Sequence, residues 1–178
     1  MVRTEVGYAG GRAANPTYDD LFDHSESIRI SYDPAKISYA DLLALFWEGT
    51  HPTRPAYARQ YRSAILWQDE AQRELALKTR EQEEQKRGKI HTAIEPLGTF
   101  TLAEDYHQKY YLRNTQALYR EFKAIYPKEQ EFVLSTAVAR ANGYVGGYGP
   151  QLDLARLGLS EKAQQYLRQI KPRPGCGG

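Results

Sequence analysis

The sequence predicts a chain of mixed α/β (α+β) class, and three observations predict it. Near the N-terminus a strand pattern feeds a glycine turn, and a second strand pattern opens at Glu26. In the middle of the chain a strand pattern, a long charged helical pattern and two short strand patterns follow one another. From Ala103 onward the patterns are helical. A length of 178 residues suffices for one domain with a real core and is short for two. The expected organisation is therefore a single domain over residues 1–170, of which 113–170 form a helical C-terminal extension, and a flexible tail at 171–178.

The stretch Gly7 to Tyr32 organises the rest. Thr4–Ala9 reads as a strand leading into Gly10 and Gly11, which permit backbone angles that other residues avoid. Pro16 fixes its own φ and is expected to hold Asn15 extended, giving a loop that aims the Tyr18 hydroxyl at a fixed point. Glu26 then opens a segment where Ile28, Ile30 and Tyr32 alternate with Ser27, Arg29 and Ser31, the period of a half-buried strand. A carboxylate at that strand's entrance is expected to be partly buried, which raises its pKa and lets it hold a proton for chemistry. The same residues admit a second reading, in which Tyr18 packs on the core and Glu26 is a solvated strand end.

Asp33-Pro34 is a turn. Ser38 reads as an N-cap with Asp41 in a capping-box position, so a helix runs Tyr39–Trp47 with Leu42, Leu43, Leu45 and Phe46 as its apolar face, ended by Gly49. A proline-rich loop, Thr50–Ala58, precedes a strand at Ser63–Trp67. The helix from Asp69 to Lys86 is mostly polar, with a thin stripe at Leu75, Ala76 and Leu77. His91–Ile94 and Thr99–Leu102 read as short strands around the Pro96–Gly98 turn. Helical patterns follow from Ala103 to Tyr111, Thr115 to Ile125 and Glu129 to Ala141, the last closed by Gly143, and Ser160 caps a final helix over Glu161–Ile170.

Composition excludes several classes. The formal charge is +2, with no clustered basic excess of the kind a nucleic-acid footprint needs. No apolar run reaches the length of a membrane span, and Met1-Val2-Arg3-Thr4-Glu5 has no apolar leader core, so a cytoplasmic location without a membrane partner is expected. The four histidines, His24, His51, His91 and His107, share no i, i+3 or i, i+4 helical spacing, so no metal site is expected. The glycine loop Gly143–Pro150 lacks the Lys-Ser or Lys-Thr of a phosphate cradle. The single cysteine, Cys176, excludes an internal disulfide. Flanked by glycines in the tail, it is either a thiol able to reach a partner sulfur or an inert terminal cysteine.

A set of short motifs stands in a fixed order: Val6–Gly11, Asn15–Tyr18, His24-Ser25-Glu26, Tyr32-Asp33-Pro34 with Ile37-Ser38-Tyr39, Phe46-Trp47, Gln60–Ile65, Thr92-Ala93-Ile94, and Ala103–Gln108 with Tyr110. In this set and order the chain resembles the peptide methionine sulfoxide reductase A family. The resemblance implies a ferredoxin-like two-layer sandwich with a mixed β-sheet and surrounding helices. It implies reduction of the S-epimer of methionine sulfoxide, protein-bound or free, in repair under oxidative stress. It implies no cofactor, only an external thiol reductant such as thioredoxin or dithiothreitol. By motif position Glu26 supplies the proton to the sulfoxide oxygen while Tyr18 and Tyr61 hold that oxygen. Cys176 resembles a C-terminal resolving cysteine.

The chain departs from the family pattern at two places. The family's nucleophile lies in a Gly-Cys-Phe-Trp segment before the Gly7–Gly11 motif, and these 178 residues contain no such segment. The sequence as given is therefore expected to lack the family's N-terminal strand-helix and to be inactive by itself, a truncated reductase. The alternative is a pseudoenzyme or binding module that recognises oxidised methionine. In the Thr50–Arg59 loop, His51-Pro52 stands for the family's His-Asp-Pro, and Ala56 or its neighbours stand where an aspartate is usual.

Overall fold

The computed structural model describes residues 3–148 and 154–170. Along the chain run β1 (Arg3–Ala9), β2 (Ser25–Ser31), α1 (Tyr39–Gly49), β3 (Ala64–Trp67), α2 (Glu70–Arg87), β4 (Ala93–Pro96), β5 (Thr101–Leu102), α3 (Tyr110–Arg113), α4 (Gln116–Ile125), α5 (Glu129–Leu134), α6 (Thr136–Val145) and α7 (Glu161–Gln169). Short 3-10 turns lie at Arg59–Tyr61, Asp105–His107 and Leu154–Leu157. The fold is mixed α/β, as the sequence predicts. The described strands form two small sheets, one in the order β2-β1-β5 and one of β3 and β4. β1 runs antiparallel to β5, with Gly7 opposite Leu102. β3 and β4 are parallel, from Ala64 opposite Ala93 to Trp67 opposite Pro96. The two strands flanking Pro96–Gly98 thus do not form a hairpin; they join different sheets. A parallel pair needs a long crossover, and α2 supplies it.

The chain divides into two compact units, one of residues 6–29 and 33–103, the other of residues 1–5, 30–32 and 104–178. In the first, the α/β unit, α1 and α2 cover β3 and β4. Leu43, Trp47, Ile65, Ala76 and Ile90 form their shared core. The capping box of α1 is present: Asp41 N–H donates to Ser38 Oγ at 3.1 Å, and Ser38 N–H donates to Asp41 Oδ2 at 2.8 Å. Leu45, expected on the apolar face, is exposed, and Trp47, outside the expected face, lies in the core. The face of α2 turned to α1 carries polar groups beside Leu75 and Ala76. Beyond Ala76 it offers Thr79, whose Oγ1 accepts from Trp47 Nε1 at 3.1 Å, and Arg87, whose Nη1 donates to the Trp47 carbonyl at 3.2 Å. Leu77, expected in the stripe, is exposed. A second, smaller cluster of Tyr8, Leu21 and Ala103 lies against β1.

The helical unit buries Leu112, Leu118, Phe122, Phe132, Val133, Val138, Ala141, Leu157, Leu159, Ala163 and Leu167 in one core. The helix expected over Glu129–Ala141 is broken at Ser135, which ends α5 and caps α6 by accepting from Val138 N–H at 3.3 Å. Gly143 consequently lies inside α6 rather than closing it. The expected helix from Ala103 is a 3-10 turn followed by α3, because Lys109 adopts a left-handed φ of 53° between them. Lys109 is buried, and its Nζ donates to the carbonyl of Thr4 and, at 3.0 Å, to Thr4 Oγ1. Burial pushes its amine down to about 8, against the opposing pull of Glu5. Ser160 caps α7, accepting from Ala163 N–H at 3.2 Å. The tail 171–178 with Cys176 and the end of the glycine loop at Gly149-Pro150 lie outside the described residues.

Candidate active site

Three of the four residues singled out by the sequence, Tyr18, Glu26 and Tyr61, lie within the α/β unit. The glycine turn after β1 is where their supports meet. Gly10 has φ +74°, and a Cβ on it would lie 2.9 Å from Arg62 Nη2. A Cβ on Gly11 would lie 2.5 Å from Asp23 Oδ1 and 2.6 Å from the His24 ring. At Gly10 only glycine fits both the angle and the space, and at Gly11 the space alone excludes a side chain. The Asp23 carboxylate accepts from Arg12 N–H at 2.8 and 3.0 Å and from Ala13 N–H at 3.1 Å. The Ala13 and Arg12 N–H groups hold its carboxyl below the usual range. Buried His24 donates from Nε2 to the Ala13 carbonyl at 2.9 Å. This loop is therefore closed on itself by polar bonds.

Asn15 is not extended as the following proline suggests. It takes φ 52°, a left-handed conformation that asparagine tolerates better than most residues. Beyond it, Thr17 and Asp20 exchange backbone hydrogen bonds, Thr17 N–H to Asp20 O at 3.1 Å and Asp20 N–H to Thr17 O at 3.2 Å. Tyr18 sits at the tip of this ring and is 40% exposed, so it does not pack into the core.

Glu26 is the second residue of β2, and it is exposed. The expectation of a partly buried carboxylate is corrected here, and the reason is strand parity. Ser25 is the buried residue, and successive strand side chains point to opposite faces. Ser25 is held inward by two arginines: its Oγ donates to the Arg59 carbonyl at 3.0 Å and accepts from Arg62 Nε at 2.8 Å. The same parity leaves Ile28 exposed, against the alternation read from the sequence. Among the described residues the Glu26 carboxylate has no hydrogen-bond partner.

Tyr61 ends the 3-10 turn Arg59–Tyr61, is 45% exposed, and stacks on Tyr57 at 5.4 Å between centroids. The turn is fastened on both sides of Tyr61. Arg59 donates from Nε to the Asp23 carbonyl at 2.5 Å and from Nη2 to the Gly10 carbonyl at 3.2 Å. Arg62 forms a two-pronged pair with Glu95 on β4, at 2.7 and 2.6 Å. That guanidinium holds the Glu95 carboxyl below its usual range. Ser63 and Thr92 share a hydroxyl hydrogen bond of 2.9 Å that joins the starts of β3 and β4.

The structure thus sets the Tyr61 turn beside the segment that enters Glu26, although the two are far apart in sequence. Tyr18 stands on the loop that ends in Asp23. Cys176 lies outside the described residues. Asp23, Ser25, Arg59 and Glu95 escape the sequence reading. Ser25 and Arg62 stand inside quoted motifs, which signals a constrained neighbourhood, whereas Glu95 is marked only by being an acid in a strand pattern. No group of three or more His, Cys, Asp or Glu side chains able to hold a metal ion occurs among the described residues.

Comparisons with known proteins agree with one another. The sequence model of the family described as peptide methionine sulfoxide reductase matches residues 1–140. The chain is similar to a peptide methionine sulfoxide reductase MsrA of Methanothermobacter thermautotrophicus, 42% identical over 126 residues that cover 64% of this chain and 75% of that protein. It is similar to a peptide methionine sulfoxide reductase of Drosophila melanogaster, 36% identical over 173 residues that cover 93% of this chain and 69% of that protein. Among solved structures it is similar to Mxr1 from Saccharomyces cerevisiae in reduced form, with a TM-score of 0.58 and 31% identity over 64% of this chain and 71% of that one. The chain belongs to the peptide methionine sulfoxide reductase A family.

Proposed function

We propose that this chain carries the oxygen-binding, proton-donating part of a methionine sulfoxide reductase site, with Glu26 as proton donor and Tyr18 and Tyr61 as hydrogen-bond donors. The observation that supports this most is the fastening of the Tyr61 turn to Asp23 and Ser25, the residues leading into Glu26. In the reduction a thiolate attacks the sulfoxide sulfur, and the S–O bond breaks. The oxygen gains negative charge, and oriented donors stabilise that charge as a proton arrives. The oxygen leaves as water, a water molecule then adds to the cysteine sulfur, and the sulfur–sulfur bond to the substrate breaks to give methionine and a cysteine sulfenic acid. A second thiol attacks the sulfenic sulfur, forms a disulfide and releases water. A dithiol reductant such as thioredoxin or dithiothreitol then restores the thiols by exchange.

The cycle needs two thiols, and the 178 residues hold one, Cys176. On this reading they bind the S-sulfoxide of methionine without turning it over, and Cys176 serves as a resolving thiol when a nucleophile is supplied. Residues 1–170 act as a single domain of this family, in the cytoplasm, in repair of oxidised methionine.

The test uses the purified chain and a peptide carrying methionine S-sulfoxide. Expected are saturable binding tighter than that of the thioether peptide, loss of that tighter binding in Glu26→Gln, and no reduced peptide by mass with dithiothreitol. Equal affinity for the oxidised and reduced peptides would remove the binding assignment. Turnover abolished by Cys176→Ser would show instead that this cysteine acts as nucleophile.

A further inference from the structure

The guanidinium of Arg62 is nearly enclosed, with 13% of its side chain exposed, and each of its three nitrogens donates a hydrogen bond. Nε donates to Ser25 Oγ at 2.8 Å. The two terminal nitrogens donate to the two oxygens of Glu95 at 2.7 and 2.6 Å. Its outer face lies so near the glycine turn that a Cβ at Gly10 would stand 2.9 Å from Nη2. Four segments remote in sequence therefore meet on one planar group: the Gly10 turn, the start of β2, the Tyr61 turn and β4.

The two ends of the Arg62–Ser25 bond matter most. Tyr61 directly precedes Arg62, and Glu26 directly follows Ser25. Each exposed donor is one residue removed from a partner in the same hydrogen bond, so a shift at that bond passes to the spacing of the donors. We infer that Arg62 is a positioning residue, whose guanidinium, seated between Ser25 and Glu95, sets the distance between the Glu26 carboxyl and the Tyr61 hydroxyl. The inference rests on the reading of Glu26 and Tyr61 as the groups that grip the sulfoxide oxygen.

Arginine suits this task for a geometric reason. Its planar fork grips a carboxylate with two nitrogens and still presents Nε sideways to a hydroxyl. Lysine at the same place keeps the charge opposite Glu95 but offers one point of attachment, and it cannot hold Ser25 and both Glu95 oxygens in the same geometry. A plain structural ion pair would tolerate that exchange in proportion to its small effect on stability. A spacer would not, because oxygen recognition depends on donors held to fractions of an ångström.

The experiment measures binding of a methionine S-sulfoxide peptide and of its thioether counterpart to wild type, Arg62→Lys, Ser25→Ala and Glu26→Gln, with the unfolding temperature of each. Expected for Arg62→Lys is a cooperative transition close to that of wild type, a sulfoxide affinity weaker by about tenfold, the loss of one or two charge-assisted bonds in register, and unchanged affinity for the thioether peptide. Ser25→Ala keeps the Arg62–Glu95 pair and should shift sulfoxide binding in the same direction by less. It carries the test if Arg62→Lys does not fold. Partial recovery of sulfoxide binding in Arg62→Ala on adding guanidinium at non-denaturing concentration would support the role further. Wild-type affinity in Arg62→Lys, or parallel loss of both peptides, would overturn the inference while leaving the binding site intact if Glu26→Gln still loses the sulfoxide peptide. Equal binding by wild type and Glu26→Gln would remove the site itself, and this inference with it.

Discussion

The two units of this chain are held together by different means. The helical unit has one continuous apolar core, in which Leu112, Leu118, Phe122 and Phe132 are fully buried. The α/β unit has two smaller clusters and relies on polar bonds between distant segments, through Asp23, Ser25, Arg59, Arg62 and Glu95. Apolar burial is large in energy and indifferent to direction. Hydrogen bonds contribute less net stability each, but they fix distances and angles. The helical unit is accordingly built for bulk stability, and the candidate site stands where placement matters.

The largest expected effect tests the first half of that contrast. Phe132 is fully buried and stacks under Arg113 at 5.1 Å and against Tyr119 at 5.6 Å. Phe132→Ala should destabilise by about 3–5 kcal/mol in denaturant titration. Sulfoxide-peptide affinity, measured where the protein remains folded, should stay within about twofold of wild type. A matching loss of affinity would mean that the contrast between the units is drawn too sharply.

The next effect tests the second half. Gly10→Ala forces a side chain into a left-handed backbone and against Arg62. It should cost roughly 1–3 kcal/mol, less than the core substitution, yet weaken sulfoxide binding far more. Retained binding in a folded Gly10→Ala protein would break the link between the glycine turn and the site.

The narrowest effect, confined to a window of pH, concerns the polar knot of the helical unit, the buried Lys109 held on Thr4. Its amine titrates at about 8 when folded, below the ordinary value of 10.5. Between those values the unfolded chain holds a proton that the folded chain has released, so this group makes stability rise with pH in that window. Below about 8 the lysine is charged in both states and its contribution is flat. The difference in unfolding free energy between wild type and Lys109→Met should therefore change from pH 8 to 10.5 and be constant below. A difference constant across the whole range would show that burial does not depress this amine.

Local chemistry made some of the fold legible in the sequence. The Ser38–Asp41 box and the Ser160 cap occur where read, because capping depends only on nearest neighbours along the chain. The parity of β2 was not legible. Isoleucine alternation points one way, but Ser25 is pinned inward by Arg59 and Arg62, and such tertiary bonds leave no periodic trace. The same holds for Lys109, whose left-handed φ is rare for a lysine, and for Ser135, which divides one helical pattern into two helices. Of the candidate site, motif order supplied Tyr18, Glu26 and Tyr61. The residues that hold two of them together had to be seen in space.

The indole rings carry a further consequence of this division. The chain has two tryptophans, Trp47 on α1 and Trp67 on β3, and both belong to the α/β unit. Trp47 is buried, with its indole nitrogen engaged by Thr79. Around the core of the helical unit stand tyrosines instead, Tyr119, Tyr126 and Tyr144. Light absorbed only by indole is therefore re-emitted by one unit alone. A single cuvette can report the melting of the α/β unit in tryptophan colour while the helical unit stays dark.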